Sequence, residues 1–319
     1  MKELVVISGK GGSGKTSLVG SLFALAENAV VADCDVDAAD LHLILSPMVE
    51  RREDFQAGAE AIIDQQQCIG CGKCYDVCRF DAIRAEPYRV VPTDCEGCGA
   101  CLQVCAAAAI RMEPTICGQW FVSETRHGPM VHARLGIGSE NSGKLVSLVR
   151  TQAKQRCLDD GRDLLLVDGP PGIGCPVIAS IGGADLVLAA TEPTPSGLHD
   201  LERVAQLARH FDIPIVVCIN KWDLNAEMSG RIERRMQAEG IPVVGRIRYD
   251  DAVTKAQIAG LTVVELADRN TAGSDGEATG IAADIKNIWH ALQPHLARAG
   301  RLVQLTISKK QEKQNKENQ

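Results

Sequence analysis

Gly9-Lys10-Gly11-Gly12-Ser13-Gly14-Lys15-Thr16 matches the pattern G-x-x-x-x-G-K-[ST]. Glycines at these positions let backbone N–H groups approach phosphate oxygens with no Cβ in the way. A helix that starts inside the motif adds its positive dipole end. Lys15 is expected to reach the β- and γ-phosphates of a nucleotide and Thr16 to ligate Mg²⁺. Residues Gly9 through Thr16, with Ser17, are therefore the candidate phosphate-binding set. Gly9, Gly11 and Gly14 also satisfy the dinucleotide pattern G-x-G-x-x-G, and Asp33 lies near the distance of a ribose contact. Lys15-Thr16 has no role in dinucleotide binding and is required for triphosphate chemistry, which favours the triphosphate.

Other segments supply parts that triphosphate chemistry needs. Leu164-Leu165-Leu166-Val167 is an apolar run that ends in Asp168, a carboxylate placed to hold the Mg²⁺ shell. Gly169-Pro170-Pro171-Gly172 follows at once and suits a loop that senses the γ-phosphate. Asp33, Asp35 and Asp37 cluster after another apolar run, where a carboxylate can orient water. Asn220-Lys221-Trp222-Asp223 closes a late apolar run and is a candidate base reader. Taken alone, Asn-Lys-x-Asp suggests guanine as readily as adenine.

A second chemistry is written in cysteine. Cys68-x2-Cys71-x2-Cys74-x3-Cys78 is followed by Cys95-x2-Cys98-x2-Cys101-x3-Cys105. This doubled spacing is the pattern of a bacterial ferredoxin with two [4Fe–4S] clusters. Three closely spaced thiolates suit three corners of a cubane, and the fourth cysteine of each run ligates the other cluster. The expected sets are Cys68, Cys71, Cys74 and Cys105 for one cluster, and Cys95, Cys98, Cys101 and Cys78 for the other. Gly70, Gly72, Gly97 and Gly99 remove side chains where backbone must wrap a cluster. A pair of zinc sites is the competing reading, but two runs of four regular cysteines exceed what two tetrahedral sites need. Arg79 and Ala106 stand where ferredoxins usually have proline, which alters the local turn but removes no ligand.

These residues need a scaffold. Apolar runs at 4–7, 164–167 and 215–219, with weaker ones at 29–32 and 186–190, are short and do not alternate, as in strands buried on both faces of a parallel sheet. Helical patterns at 16–26, 144–158, 197–210 and 226–239 lie between them. Alternating strand and helix implies an α/β doubly wound, mostly parallel sheet. The pattern breaks at 63–112, a segment rich in Cys and Gly, expected to be a small α+β insert. The flanking segments 1–62 and 113–300 are then one domain. Segments 119–125 and 131–135 flank His127-Gly128-Pro129, a hairpin signal. A glycine-rich loop occupies 136–143. The extension 301–319 ends in KKQEKQNKENQ, which has no apolar residue and is expected to be disordered.

Of the 319 residues, 45% are hydrophobic, enough for a large core; net charge is −7 and aromatics are 3%. Neither a basic surface nor stacking platforms for nucleic acid are therefore expected. No segment has the length to span a bilayer, and a cytoplasmic location is expected. Thirteen cysteines in a reducing compartment point to metal ahead of disulfides.

With Lys10 the loop takes the form K-G-G-x-G-K-T, and the chain resembles the deviant-Walker MinD/ParA/Mrp and nitrogenase-iron-protein superfamily of P-loop ATPases. The resemblance rests on residues 10–16, Asp33-Cys34-Asp35, residues 168–172, Thr191-Glu192-Pro193-Thr194 and residues 220–223. It implies ATP, Mg²⁺ and an ATP-sandwich dimer, either a homodimer or a heterodimer with a related ATPase. It also implies that Lys10 crosses to the partner's nucleotide, that Asp35 positions water, and that Asn220 contacts adenine, with Asp223 and Asp250 near the base. With the cysteine segment, the chain looks like superfamily ATPases that carry an inserted ferredoxin domain.

Cys175 lies seven residues after Asp168, the offset of a cluster ligand in the nitrogenase iron protein, but the second such ligand falls at Ser139 here. A small residue at a helix start is the preferred reading for Cys175. Cys34, Cys117, Cys157 and Cys218 read as buried small residues. The expected function is an ATP-hydrolysing iron–sulfur protein whose dimer switching is coupled to electron transfer or to metal-cofactor assembly, with a redox or metallocofactor client. The alternative is a MinD-like positioning or scaffold ATPase with redox-sensing clusters. The charged tail offers no amphipathic membrane anchor, and residues 285–297 read as a last core helix.

Overall fold

The computed structural model describes residues 1–136, 142–271 and 280–317. The expected apolar runs become β1 (Lys2–Ser8), β2 (Ala29–Asp33), β8 (Leu164–Pro171), β9 (Leu186–Thr191) and β10 (Ile215–Asn220). The remaining strands are β3 (Met48–Ile63), β4 (Ile83–Arg84), β5 (Arg89–Val90), β6 (Ile110–Thr125), β7 (Gly128–Leu135) and β11 (Val243–Ile247). The helices are α1 (Lys15–Leu25), α2 (Leu41–Leu45), α3 (Lys73–Val77), α4 (Ala100–Val104), α5 (Ser142–Asp159), α6 (Cys175–Ile181), α7 (Pro195–His210), α8 (Ala226–Ala238), α9 (Ala252–Ile258), α10 (Val263–Thr271) and α11 (Gly280–Glu317).

The large sheet has the order β11-β10-β9-β1-β8-β2-β7-β6-β3. β1 pairs in parallel with β8 and β9, and β2, β10 and β11 extend the parallel pairing outward. Leu4 and Val6 face one side and pack with Leu18, Leu22 and Phe23 of α1 and with Ile285 and Ile288 of α11. Val5 and Ile7 are equally buried on the opposite side. There α5 and α6 lie, and buried Arg150 of α5 donates to Glu3 Oε2 of β1 at 2.8 Å and to Gly182 O at 2.7 Å. Burial on both faces is why these strands show no polar alternation.

The chain divides into two compact units. The first holds residues 1–52, 121–133 and 142–319, and the second holds 53–120 with 134–141. The second unit is wider than the expected 63–112, because its chain enters and leaves on the long strands β3 and β6. β3 escaped sequence reading: its first half is polar and exposed, and only from Phe55 onward do alternate residues turn inward. The second unit builds a small core from Ala61, Ile63, Cys74, Ile83, Cys101 and Ile110, with β4 and β5 as an antiparallel pair. Its helices α3 and α4 are each five residues long.

β6 and β7 are joined by Arg126-His127, the expected hairpin. α11 continues to Glu317. Pro294 lies inside the helix, whose Ile285, Ile288, Leu292 and Leu296 are buried at helical spacing. Most of the glycine-rich loop at 136–143, including Ser139, lies outside the described residues.

His132 of β7 stacks on Phe121 at 4.9 Å, and its Nε2 lies 3.0 Å from Ser123 Oγ. Burial, then the neighbouring His42, pulls its pKa down to about 4. A depressed histidine pKa leaves the native ring neutral, so its stability contribution is intact above pH 6.5 and is lost as pH falls toward 4. Glu265 does not confuse this window. Burial opposes its charge, but hydrogen bonds from Arg126 and Thr262 prevail and hold it at about 2, so it matters only below pH 4.5. Stability in urea should fall by about 2–3 kcal/mol between pH 6.5 and 4.5 from this group, and His132→Gln should remove that part of the slope.

Candidate functional site

Strand register assembles the first site. Val6 and Asp33 both pair with Asp168, and Ser8 pairs with Pro171 and with Ala190. The loops after β1, β2, β8, β9 and β10 therefore leave the same edge of the sheet, the carboxyl ends of parallel strands where ligands of such sheets bind. A cavity of about 420 Å³ opens there. Gly11 to Ser17, Asp35, Asn220 and Asp250 line it, and Val263, Ile281 and Ile285 supply an apolar wall.

The phosphate loop is held by close packing. Gly14 has φ +80°, and a Cβ there would meet Asn220 Nδ2 at 2.2 Å. That amide donates to Ser13 O at 2.7 Å, so Asn220 braces the loop as well as facing the cavity. Lys15 starts α1 and is buried. Its ammonium contacts Asp168 and lies 3.4 Å from Asp35 Oδ2. Burial opposes the Lys15 charge, but the two carboxylates outweigh it and raise the pKa above the ordinary lysine range. Burial also pushes Asp35 up, and burial together with the Asp168 charge pushes Asp33 well up.

The three clustered aspartates separate in role. Asp33 is fully buried and accepts from the N–H groups of Asp35 and Leu41, so it shapes the loop. Asp35 reaches the cavity, and Asp37 is exposed. Asp168 Oδ2 is buried with no hydrogen-bond partner among the described residues. A hydrated Mg²⁺ would satisfy this oxygen, so Asp168 and Thr16 fit that ion.

Other expected residues stand elsewhere. Gly9 and Lys10 do not line the cavity. Gly9 packs against Asp200, and Lys10 Nζ lies 3.4 Å from Ser196 Oγ. Asp223, expected near the base, lies off the cavity and accepts the Tyr249 N–H at 2.8 Å. Asp250 borders the cavity, but its Oδ1 accepts the Ala252 N–H at 2.8 Å. Sequence reading missed Gln257 of α9, which donates to Ser17 Oγ at 3.0 Å. No spacing signal marks a residue brought in from α9, only the tertiary fold.

The second unit repeats one backbone twice. Gly72 (φ +76°) precedes α3, and Gly99 (φ +73°) precedes α4. Cys74 and Cys101 sit at the second position of these helices, buried, while Cys78 and Cys105 follow them. Gly97 has φ +63°, and a Cβ there would stand 2.1 Å from Ala59 O. One cavity is lined by Cys68, Cys71, Cys74 and Cys105, and the other by Cys95, Cys98, Cys101 and Cys78. Each takes three cysteines from one run and the fourth from the other. Among the described residues, no group of three or more His, Cys, Asp or Glu side chains is placed to hold a single metal ion.

Cys34, Cys157 and Cys218 are buried thiols, and burial raises the last two to about 11 and about 12. Cys117 is also buried and donates to Ala57 O at 2.7 Å. Cys175 begins α6, the helix start expected for it, and is exposed.

The CbiA family, described as the CobQ/CobB/MinD/ParA nucleotide binding domain, matches residues 4–263. The chain belongs to this family, whose MinD/ParA members are P-loop ATPases. Protein MJ0578 of Methanocaldococcus jannaschii is 36% identical over 228 residues, covering 70% of this chain and 79% of that protein. The fold is also that of the septum site-determining protein MinD complexed with Mg-ADP from Pyrococcus horikoshii. The TM-score is 0.54 at 15% identity, over 92% of this chain and 96% of that one. The MinC:MinD cell division complex of Aquifex aeolicus gives 0.53 at 17% identity, over 92% and 96%.

Gly14→Ala should keep the fold but push Asn220 off the loop and strain the left-handed turn. Titration with a fluorescent ATP analogue should show affinity reduced by about tenfold or more, given 1–3 kcal/mol for strain of this kind.

Proposed function

We propose that this chain binds and hydrolyses MgATP, and that nucleotide-driven switching of a dimer is coupled to two [4Fe–4S] clusters that serve electron transfer or metal-cofactor assembly. The observation that carries the iron–sulfur half is the crossed division of eight cysteines between two cavities. Donors around a single zinc ion must converge to about 2.3 Å from one point. A cubane spreads its four thiolates over four irons, which suits cysteines ringing a cavity. When bound, such clusters supply one-electron transfer. The backbone around Gly72 and Gly99 would turn N–H groups inward, and the two cysteine sets would hold one cluster each.

In the nucleotide half, the N–H groups of residues 11–16 cradle the phosphates, and Lys15 moves from Asp168 and Asp35 to phosphate oxygens. Asp168 and Thr16 would hold Mg²⁺, and Asp35, released from Lys15, would orient the attacking water. Lys10 lies off its own cavity beside Glu192 and Ser196, and leaves them to serve the site of a partner ATPase, either a second copy or a related chain. The location proposed is cytoplasmic, and the partner is a redox or metallocofactor client. A tightly ligated pair of clusters favours electron transfer over cluster delivery.

A second reading has its own support. Likeness to MinD proteins over 92% of the chain suits a positioning or scaffold ATPase whose clusters sense redox state. Among the described residues, no helix is long and apolar enough to cross a membrane. Pelleting with anionic liposomes in the presence of MgATP separates the two readings.

Anaerobically prepared protein should carry about eight iron atoms per chain, and MgATP should change the EPR spectrum or reduction behaviour of the clusters. Zinc, or iron far below that number, would overturn the iron–sulfur reading. Cys78→Ser should perturb the cluster whose other ligands are Cys95, Cys98 and Cys101, leaving the one beside its own run. Asp35→Ala should retain ATP binding and ATP-dependent dimerisation while turnover falls by about 10²-fold or more; turnover at the original rate would remove Asp35 from catalysis.

A further inference from the structure

Three adjacent parallel strands deliver three charged side chains to one edge of the sheet. Ser8 of β1 and Cys218 of β10 both pair with Ala190 of β9. Counting two residues onward from that register sets Lys10 level with Glu192, and Lys221 follows one residue past the end of β10 at Asn220, so the carboxylate stands between the two lysines. Glu192 Oε1 accepts from Lys221 Nζ at 2.5 Å, and Glu192 Oε2 lies 3.9 Å from Lys10 Nζ. Lys221 also donates to Gly12 O at 3.2 Å, inside the phosphate loop. Lys10 is steadied by Ser196 Oγ at 3.4 Å. Glu192 is 15% exposed, against 43% for Lys10 and 31% for Lys221, so the acid is fixed and the two cations have room to move.

Lys10 belongs to the loop that would hold a triphosphate and Lys221 reaches that loop and lines the cavity, and a carboxylate satisfies the same donors that a phosphate oxygen would. Lys15 shows the same arrangement deeper in the site, with Asp168 and Asp35 on its ammonium. Those two acids have further work to do at Mg²⁺ and water. Glu192 does not line the cavity and touches neither position.

We propose that Glu192 is a positioning residue that competes with nucleotide phosphates, for Lys221 at its own loop and for Lys10 as it reaches the nucleotide of a partner ATPase, and thereby sets the affinity of this chain for nucleoside triphosphate. The inference rests on the reading of the cavity as a triphosphate site. Phosphates that draw the lysines away must break two ion pairs, and the carboxylate reclaims the lysines when the phosphates leave. The competition is strongest for the ligand that reaches furthest across the loop, so ATP and inorganic tripolyphosphate feel it more than ADP.

The test is calorimetric titration of the full chain with MgATP, MgADP and tripolyphosphate. Glu192→Gln should bind MgATP and tripolyphosphate roughly fivefold tighter than the wild type, a size expected of two partly exposed ion pairs. Its gain for MgADP should be smaller, and Glu192→Asp should stay near the wild type. The comparison that decides the mechanism is a cycle with Lys10→Ala and Lys221→Met. If Glu192 acts by occupying these lysines, its replacement in that background changes affinity little. A gain that persists undiminished means only a repulsive charge was removed, and overturns the proposal. So does Glu192→Gln binding MgATP no tighter than a wild type of the same melting temperature. A wild type that binds neither MgATP nor tripolyphosphate sinks the triphosphate reading itself, a different failure, and the proposal falls with it.

Discussion

The parallel pairing of β1 with β8 is the constraint on which the nucleotide half depends. It sets Val6 against Asp168 and brings the start of α1 beside the end of β8. Lys15 and Asp168 meet for that reason, although 153 residues separate them in sequence. A buried ammonium is costly unless carboxylates surround it. Here Asp168 and Asp35 keep it charged, so the cation that phosphate chemistry requires is held ready in the fold. The interaction leaves Asp168 Oδ2 unpartnered among the described residues, which leaves that oxygen for a metal shell.

The same economy extends outward from Lys15. Lys10 and Lys221 end against Glu192, and Asn220 and Lys221 reach back to carbonyls of the phosphate loop. The loop is thus braced by β10 and edged by β9, while Gly12 and Gly14 supply its left-handed turns and the room for Asn220.

The second unit solves a different problem. Its small core includes Cys74 and Cys101 themselves, with few large apolar side chains beside them. Two short helices of one pattern, each introduced by a left-handed glycine, keep four cysteines around each cavity.

Much of this was legible in the residues alone. Gly9 to Thr16 and the Leu164–Asp168 run are local patterns, legible because their donors lie close together in sequence; the doubled cysteine spacing is equally local, and what the structure adds is its division between two cavities. The buried parallel strands were legible for a related reason: burial on both faces leaves an unbroken apolar run. Tertiary structure decided what depends on contacts between distant segments. It put Gln257 beside Ser17, turned Asp223 away from the cavity to hold Tyr249, and paired Glu192 with two lysines from two other strands. It also drew out β3, whose polar first half carries no strand signal, and carried α11 through Pro294 on the strength of its buried face. Side-chain chemistry is written in sequence, but the partner of a side chain is set by strand register and packing, which join residues that no spacing rule connects.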